Sequence, residues 1–108
     1  MTPTMSEMLQ VLYTGGHVGA GRGISAADLA TYLGCDLRQL RKLITQARFD
    51  GIALCGKPAD GYFIGERAEE VEETCRFLRS RAMHSLLLES AMRRMPLPTL
   101  IGQLSLPT

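Results

Sequence analysis

The chain has 108 residues, of which 45% are apolar and 21% are charged, and its formal net charge is +1. This composition is typical of a folded globular domain with an extension and excludes a wholly disordered chain. No apolar run reaches the roughly 18 residues of a transmembrane helix, and the N-terminus lacks the basic start and apolar core of a signal peptide. We therefore expect a cytoplasmic protein that does not associate with membranes.

The cysteines and histidines are isolated along the chain. Cys35, Cys55 and Cys75 contain no close pair, and His17 and His84 have no histidine near them in sequence. Protein metal sites usually contain a close Cys-x-x-Cys or His-x-x-x-His pair. We therefore expect no metal and no cofactor, and we interpret the three cysteines as reduced thiols that behave like small apolar side chains.

The N-terminal part of the sequence predicts one helix and a link. Residues 4–13 carry apolar side chains at the i, i+3, i+4, i+7 spacing of one helix face, namely Met5, Met8, Leu9 and Leu12. Gly15 and Gly16 end this helix. Residues 14–23 contain five glycines, a composition that predicts a flexible link.

Two further helices follow closely. Ser25 is a suitable N-cap for a second helix, and Gly34 ends it. Asp36 can cap a third helix that runs from Leu37 to about residue 50, where a glycine follows. The apolar stripe of the third helix consists of Leu37, Leu40, Leu43, Ile44 and Ala47.

A hairpin and a long helix complete the predicted elements. The strands are residues 52–55 and 62–64, joined by a turn at 56–61. Residues 66–95 contain no glycine or proline and are rich in good helix formers, which predicts one long helix. The predicted fold class is mainly α with a small two-stranded β wing, a winged helix-turn-helix followed by a long C-terminal helix. Its parts are a winged domain at 1–65, a long helix at 66–95 and a flexible tail at 96–108.

The second and third helices have the register of a helix-turn-helix. Such a motif needs a small residue where its helices cross, and Ala30 is in that place. It needs a residue that tolerates positive φ at the turn, which Gly34 supplies. It also needs apolar residues on the buried side of the second of its helices, as Leu40 and Leu43 are. The alternative is an ordinary helical hairpin whose basic residues are solvated.

If the motif binds DNA, its second helix is the recognition helix. The side chains that we expect to face the DNA are Leu37, Arg38, Arg41, Lys42 and Thr45, and Lys57 at the wing tip is a further candidate. Arginine can pair bidentately with guanine, and lysine suits phosphate. Residues 22–57 carry a balance of +3, which favours a nucleic-acid partner more than the total charge does.

The sequence resembles small winged-helix proteins of bacteriophages and prophages. The resemblance covers about residues 20–95 and is carried by residues 40–55, the Gly-Tyr-Phe-Ile run at 61–64 and the helix around 76–82. It implies a DNA-binding role. The helix-turn-helix and the Gly-Tyr wing also resemble those of iron–sulfur transcription regulators, whose closely spaced cysteine cluster this chain lacks.

The long helix carries apolar residues on two stripes. A helix with two apolar stripes needs a second partner, and another copy of the chain is the economical one. We therefore expect a homodimer, with an interface formed by Phe77, His84, Leu87, Leu88 and Ala91.

The tail contains a possible partner motif. Gln103, Leu104 and Leu106 resemble the peptide with which bacterial replication proteins bind the sliding clamp, although Pro107 stands where that peptide has an aromatic residue. The alternative is a tail that packs on its own domain.

These observations predict a double-stranded DNA-binding protein without catalytic activity, acting as a dimeric transcription regulator of phage or prophage type. The chain shows no Ser/His/Asp set, no phosphate-binding glycine loop and no paired carboxylates that would indicate an enzyme. Two alternatives remain. One is a replication adaptor that binds DNA and, through its tail, a sliding clamp; the other is a protein-interaction module that does not bind DNA.

Overall fold

The computed structural model describes residues 2–104; it has the predicted order of elements through the long helix, which a short helix that was not predicted follows. The elements are α1 (Met5–Thr14), α2 (Ala26–Leu33), α3 (Leu37–Phe49), β1 (Leu54–Lys57), β2 (Gly61–Ile64), α4 (Ala68–Arg93) and α5 (Leu97–Gln103). The winged helix-turn-helix followed by a long helix is therefore confirmed. The chain divides into two compact units, one ending at Thr74 and the other beginning at Cys75, so that α4 belongs to both.

Side-chain caps fix where the first three helices begin. Thr4 and Ser25 accept hydrogen bonds from the backbone N–H groups three residues further on, at the starts of α1 and α2. Asp36 accepts from the Gln39 N–H at 2.7 Å, and the Gln39 side chain accepts from the Asp36 N–H at 3.1 Å, which completes a capping box at the start of α3. Because each cap satisfies an otherwise unpaired donor, the sequence sets these boundaries locally.

The turn between α2 and α3 depends on Gly34. This residue has φ of 67° in the left-handed region, where a side chain would be strained. The N–H of Gly34 donates to the Thr31 carbonyl at 3.2 Å, and that of Cys35 donates to the Ala30 carbonyl at 3.0 Å. Ala30 is buried between the helices, as the motif requires.

One hydrophobic core joins the helices of the first unit to the wing. Its buried members are Met8, Leu12, Ile24, Leu29, Ala30, Leu40, Leu43, Ile44, Ala47, Leu54, Tyr62 and Ile64. Every one of α1, α2, α3, β1 and β2 contributes at least one side chain to this core. The position of α3 against the rest of the first unit is therefore set by packing, which makes its remaining face a rigid surface.

The wing is an antiparallel pair in which Leu54 lies opposite Ile64 and Lys57 opposite Gly61. β1 begins two residues later than the sequence predicts and takes in two residues of the predicted turn. The close pairing depends on Gly56 and Gly61, which have φ of 105° and 84°. A Cβ added to Gly56 would lie 2.0 Å from the Gly61 carbonyl oxygen, so no larger residue fits there.

The glycine-rich segment 14–23, predicted to be a flexible link, is instead held against β2. The backbones of Ile24 and Tyr62 exchange two hydrogen bonds, of 2.9 and 2.8 Å, and Ile64 donates to the His17 carbonyl at 2.8 Å. The Ala20 N–H also donates to a carboxylate oxygen of Glu70 in α4. The prediction counted the glycines and missed that Ile24, a single buried residue, pairs with the wing.

The second unit contains the remainder of α4 and the short helix α5. The chain leaves α4 through Arg94, which has φ of 51°, and the Met95 N–H donates to the Ser90 carbonyl at 3.0 Å. The predicted flexible tail thus includes a helix, and Leu100 within it is buried. Leu106, at the end of the proposed clamp motif, lies outside the described residues. Among residues 2–104, no helix is both long and apolar enough to cross a membrane.

Candidate nucleic-acid interface

The outward face of α3 presents one continuous stripe of exposed side chains. Arg38, Lys42, Thr45 and Phe49 follow each other at the i, i+4, i+7, i+11 spacing of a single helix face. Arg41 and Gln46 flank the stripe, and all six side chains line one shallow, open depression. Leu37 lies exposed at the N-terminal end of the same helix. The structure therefore brings together five of the six residues that the sequence proposes for DNA contact.

The stripe points outward because the opposite side of α3 is buried. Leu40 and Ala47 are fully enclosed, and Leu43 and Ile44 are nearly so. These four residues belong to the core shared with the wing and the other helices. Because a helix cannot rotate without exposing them, the orientation of the basic face is fixed by the core.

The charge of this face suits a polyanion. Three of its six lining side chains are cationic, and none is acidic. Asp36 and Asp50 stand at the N-cap and C-cap positions of this helix, outside the stripe. The geometry thus places guanidinium and ammonium groups together on the outward side of a helix, and the major groove is wide enough to accept a helix.

Arg48 has a structural role that the sequence did not reveal. In the structure its Nε donates to the Leu54 carbonyl at 2.9 Å and its Nη2 donates to the Gly56 carbonyl at 3.0 Å. Its guanidinium also lies 5.8 Å from the centre of the Tyr62 ring. Arg48 therefore attaches the wing to α3 and is separate from the basic stripe.

Lys57 lies at the end of β1, where its ammonium is 3.5 Å from a carboxylate oxygen of Asp60. This ion pair spans the turn of the wing and reduces the net charge that the wing tip presents. The proposed contact between Lys57 and DNA remains a prediction.

The two aromatic residues of the return strand are both buried. Tyr62 packs in the main core, whereas Phe63 lies outside that cluster on the other side of the sheet. Thr74 of α4, which is also buried, accepts a hydrogen bond of 3.0 Å from the Gly56 N–H. Both faces of the small sheet are therefore covered, and Tyr62 and Phe63 act in packing.

Sequence reasoning missed two residues of the interface, Gln46 and Phe49. Phe49 is 87% exposed, an unusual state for so large an apolar side chain. Helical spacing from Lys42 and Thr45 would have placed both residues on the stripe.

The residues proposed for a dimer interface lie on the part of α4 in the second unit. Leu87 and Leu88 are 50% and 54% exposed, and His84 and Ala91 are exposed as well. Phe77 is half-buried, and the Arg81 guanidinium lies 5.8 Å from the centre of its ring. At the far end of this unit, Gln103 ends α5 and Leu104 continues in extended backbone with an exposed side chain.

The three cysteines have different environments. Partial burial, and then the nearby Asp36 carboxylate, raise the pKa of the Cys35 thiol, which disfavours the nucleophilic thiolate. Cys55 is buried within β1, and Cys75 lies exposed on α4. Within residues 2–104, no three His, Cys, Asp or Glu side chains lie close enough together to hold a metal ion.

Comparisons with protein-family models, with curated proteins and with solved structures found no match to this chain. We therefore infer the function from the residues and geometry of the chain itself.

Proposed function

We propose that this protein binds double-stranded DNA by placing α3 in the major groove, as a dimeric transcription regulator of the kind found in phages and prophages. The observation that carries the proposal is the exposed stripe on α3. It lies on the second helix of a helix-turn-helix, and cations are its only charged groups. In helix-turn-helix proteins this helix is the one that contacts base edges.

Within this function the side chains of α3 have different tasks. Arg38 and Arg41 are long enough to reach base edges, where a guanidinium can donate two hydrogen bonds to guanine O6 and N7. Lys42 binds phosphate as a point charge, and Thr45 offers a hydroxyl to a base or to phosphate. Arg48 contributes indirectly, because it fixes the wing beside α3.

A dimer would present two recognition helices to a two-fold-symmetric site. The stripe of Phe77, His84, Leu88 and Ala91, with Leu87 beside it, supports such an assembly because the side chains of Leu87 and Leu88 are open to solvent. Half-sites in such complexes are spaced by about 34–36 Å or multiples of it.

Selection of bound sequences from a random duplex library, across a salt series, tests the proposal. We expect enrichment of a two-fold-symmetric site and an affinity that falls steeply as salt increases, since phosphate contacts release counterions. Absence of duplex binding at low salt would overturn the proposal and favour a protein-interaction module. Salt-sensitive binding without enrichment would contradict a sequence-specific regulator.

Two neighbouring substitutions separate base contact from phosphate contact. We expect Arg41→Ala to cost about 1–3 kcal/mol on the selected site and to relax base preference at one position. Lys42→Ala should weaken binding to all sequences alike and lower the salt dependence. Arg67→Ala removes a cation outside α3 and serves as the control. Equal behaviour of all three variants would contradict the assigned roles.

A replication adaptor is the second candidate, because Leu104 leaves α5 exposed and in extended backbone, as a peptide ligand must. The test is a pull-down of a bacterial sliding clamp by the full chain and by a variant with Leu104→Ala and Leu106→Ala. These substitutions avoid the buried Leu100, so α5 should remain folded. Clamp binding that both substitutions abolish, with DNA binding unchanged, would support the adaptor; absence of clamp binding by the full chain would reject it.

A further inference from the structure

Phe49 is the most exposed large apolar side chain among the described residues, at 87%. It lies on α3 at the end of the stripe that begins with Arg38, in the same depression as the cations. It is absent from the core of the first unit and from the half-buried residues packed against it. The ring of Phe49 would therefore be buried only by an apolar group of a ligand that binds to this face.

The neighbour of Phe49 on the helix surface is Gln46. The two residues are at i and i+3, which places their Cβ atoms about 5–6 Å apart. Glutamine, like asparagine, can pair bidentately with adenine N6 and N7, and phenylalanine is one of the side chains that contact the thymine methyl group. A single A·T base pair presents both features side by side in the major groove.

The length of the stripe separates this pair from the arginines. Arg38 and Phe49 are 11 residues apart in sequence, which corresponds to about 16 Å along a helix. Since this length is several times the rise of about 3.4 Å per base pair, the two ends of the stripe do not reach the same base pair. The arginine end and the Gln46–Phe49 end therefore address different bases.

We infer that Gln46 and Phe49 form an A·T-reading element at the C-terminal end of the recognition helix. Phe49 contacts the thymine methyl and Gln46 binds the adenine edge. The inference rests on the proposed DNA binding and specifies which base pair this end of α3 selects. The cations around Phe49 favour DNA over an apolar protein partner as the occupant of this face.

The test uses the full chain and the duplex obtained by selection, with each thymine replaced in turn by deoxyuridine. This replacement removes only the methyl group. For the unsubstituted protein we expect one position in each half-site where uracil weakens binding about fourfold, which corresponds to one buried methyl group. Phe49→Ala should bind the thymine site about as weakly as the unsubstituted protein binds the uracil site, and it should no longer distinguish thymine from uracil.

Adenine is tested in the same way with 7-deaza-adenine, which lacks the N7 acceptor. We expect the replacement opposite the sensitive thymine to weaken binding by the unsubstituted chain and to have no effect on Gln46→Ala. Phe49→Leu, which retains an apolar side chain, should recover most of the discrimination between thymine and uracil.

Tyr13→Ala removes an exposed aromatic ring from α1 and is the matched control. The melting temperatures of the variants should match that of the unsubstituted chain, as expected for exposed positions. Unchanged discrimination between thymine and uracil in Phe49→Ala would overturn the inference while the proposed function stands. An equal loss of affinity for every sequence would also overturn it, because Phe49 would then contact the DNA backbone or a protein. Failure of the unsubstituted chain to bind any duplex would instead reject the proposed function.

Discussion

At the scale of single residues, α3 shows that side chains of the same type have unrelated tasks. Arg38, Arg41 and Arg48 all lie on this helix, but only the first two face outward. Arg48 donates to two carbonyls of β1 and lies over Tyr62, so that its charge is used inside the fold. A substitution of Arg48 should therefore affect the stability of the fold, whereas a substitution of Arg38 or Arg41 should affect the proposed DNA binding.

Arg48→Ala should destabilise the protein. Hydrogen bonds from a charged donor contribute about 1.5–3 kcal/mol to stability. The substitution leaves the carbonyls of Leu54 and Gly56 without the guanidinium as their partner. We therefore expect the free energy of unfolding to fall by about 2–3 kcal/mol. Urea denaturation measures it. Arg48→Lys should recover only part of the loss because lysine lacks the planar fork.

Arg38→Ala is the matched control, since its side chain is exposed on the stripe, and its effect on stability should stay within about 0.5 kcal/mol. Equal stability of the Arg48 and Arg38 variants would contradict the structural role of Arg48.

Arg94 ends α4 in a conformation that glycine adopts more readily. Its φ of 51° is in the left-handed region, where a residue with a side chain is strained by about 1 kcal/mol or more. We expect Arg94→Gly to stabilise the last turn of α4 by about 1 kcal/mol, measured as slower amide hydrogen exchange there. Met92→Gly, inside the helix, should have the opposite effect. Faster exchange in Arg94→Gly would show that the arginine side chain outweighs the backbone strain.

At the scale of elements, Glu70 joins the start of α4 to the segment that follows α1. Its carboxylate accepts from the backbone N–H groups of Glu66 at 2.7 Å, Arg67 at 2.9 Å and Ala20. These hydrogen bonds, the one from Glu66 foremost, lower the pKa of Glu70 below its ordinary value. The ionised form therefore favours the contact between Ala20 and the start of α4.

The lowered pKa predicts a pH dependence. A carboxyl group whose pKa is lower in the folded state stabilises the protein above its unfolded pKa, near 4.3, and this stabilisation is lost as the pH falls through the folded value. Glu70→Gln should therefore be less stable than the unsubstituted chain at pH 7, and the difference should disappear in acid. Thermal unfolding at a series of pH values measures this.

Glu69→Gln is the control for Glu70→Gln, because it removes a carboxylate from the adjacent, exposed position of the same helix turn. If both variants gave the same pH profile, the carboxylate of Glu70 would have no special role.

At the scale of the whole molecule, the proposed DNA-binding residues lie in the first compact unit and the proposed dimer residues in the second. In such an arrangement each recognition helix binds one half-site, and the dimer contacts supply the effective concentration for the second half-site. Dimerisation and DNA affinity should therefore be coupled.

Leu88→Asp tests this coupling, because it places a charge in the centre of the dimer stripe, which should dissociate the dimer. Sedimentation equilibrium measures the mass in solution. We expect the unsubstituted chain to have twice the mass of one chain, which is 11.8 kDa, and the variant to have the mass of one chain. The variant should lose affinity for a duplex with two half-sites and keep its affinity for one half-site. Ala82→Asp, at an exposed position on another side of α4, is the control. A monomeric unsubstituted chain at micromolar concentration would reject the dimer.

The sequence by itself determined the order of the elements and most helix boundaries in the first unit. These features depend on local chemistry: a capping side chain at Thr4, Ser25 or Asp36 satisfies N–H groups within one turn, and Gly34 permits the left-handed turn. Helical spacing also placed Arg38, Arg41, Lys42 and Thr45 on one exposed surface. Such signals act over a few residues and can be read from the chain alone.

Only the tertiary structure decided the features that join distant parts of the chain. Arg48 attaches α3 to β1, Ile24 pairs with Tyr62, and Glu70 holds Ala20 across an interval of 50 residues. Local spacing does not indicate such partners. A cation, a glycine-rich loop or an acidic helix start has the same sequence pattern whether it faces solvent or is hydrogen-bonded to a distant residue. Packing brought these groups together, and the same packing left Phe49 exposed on the face that we propose meets DNA.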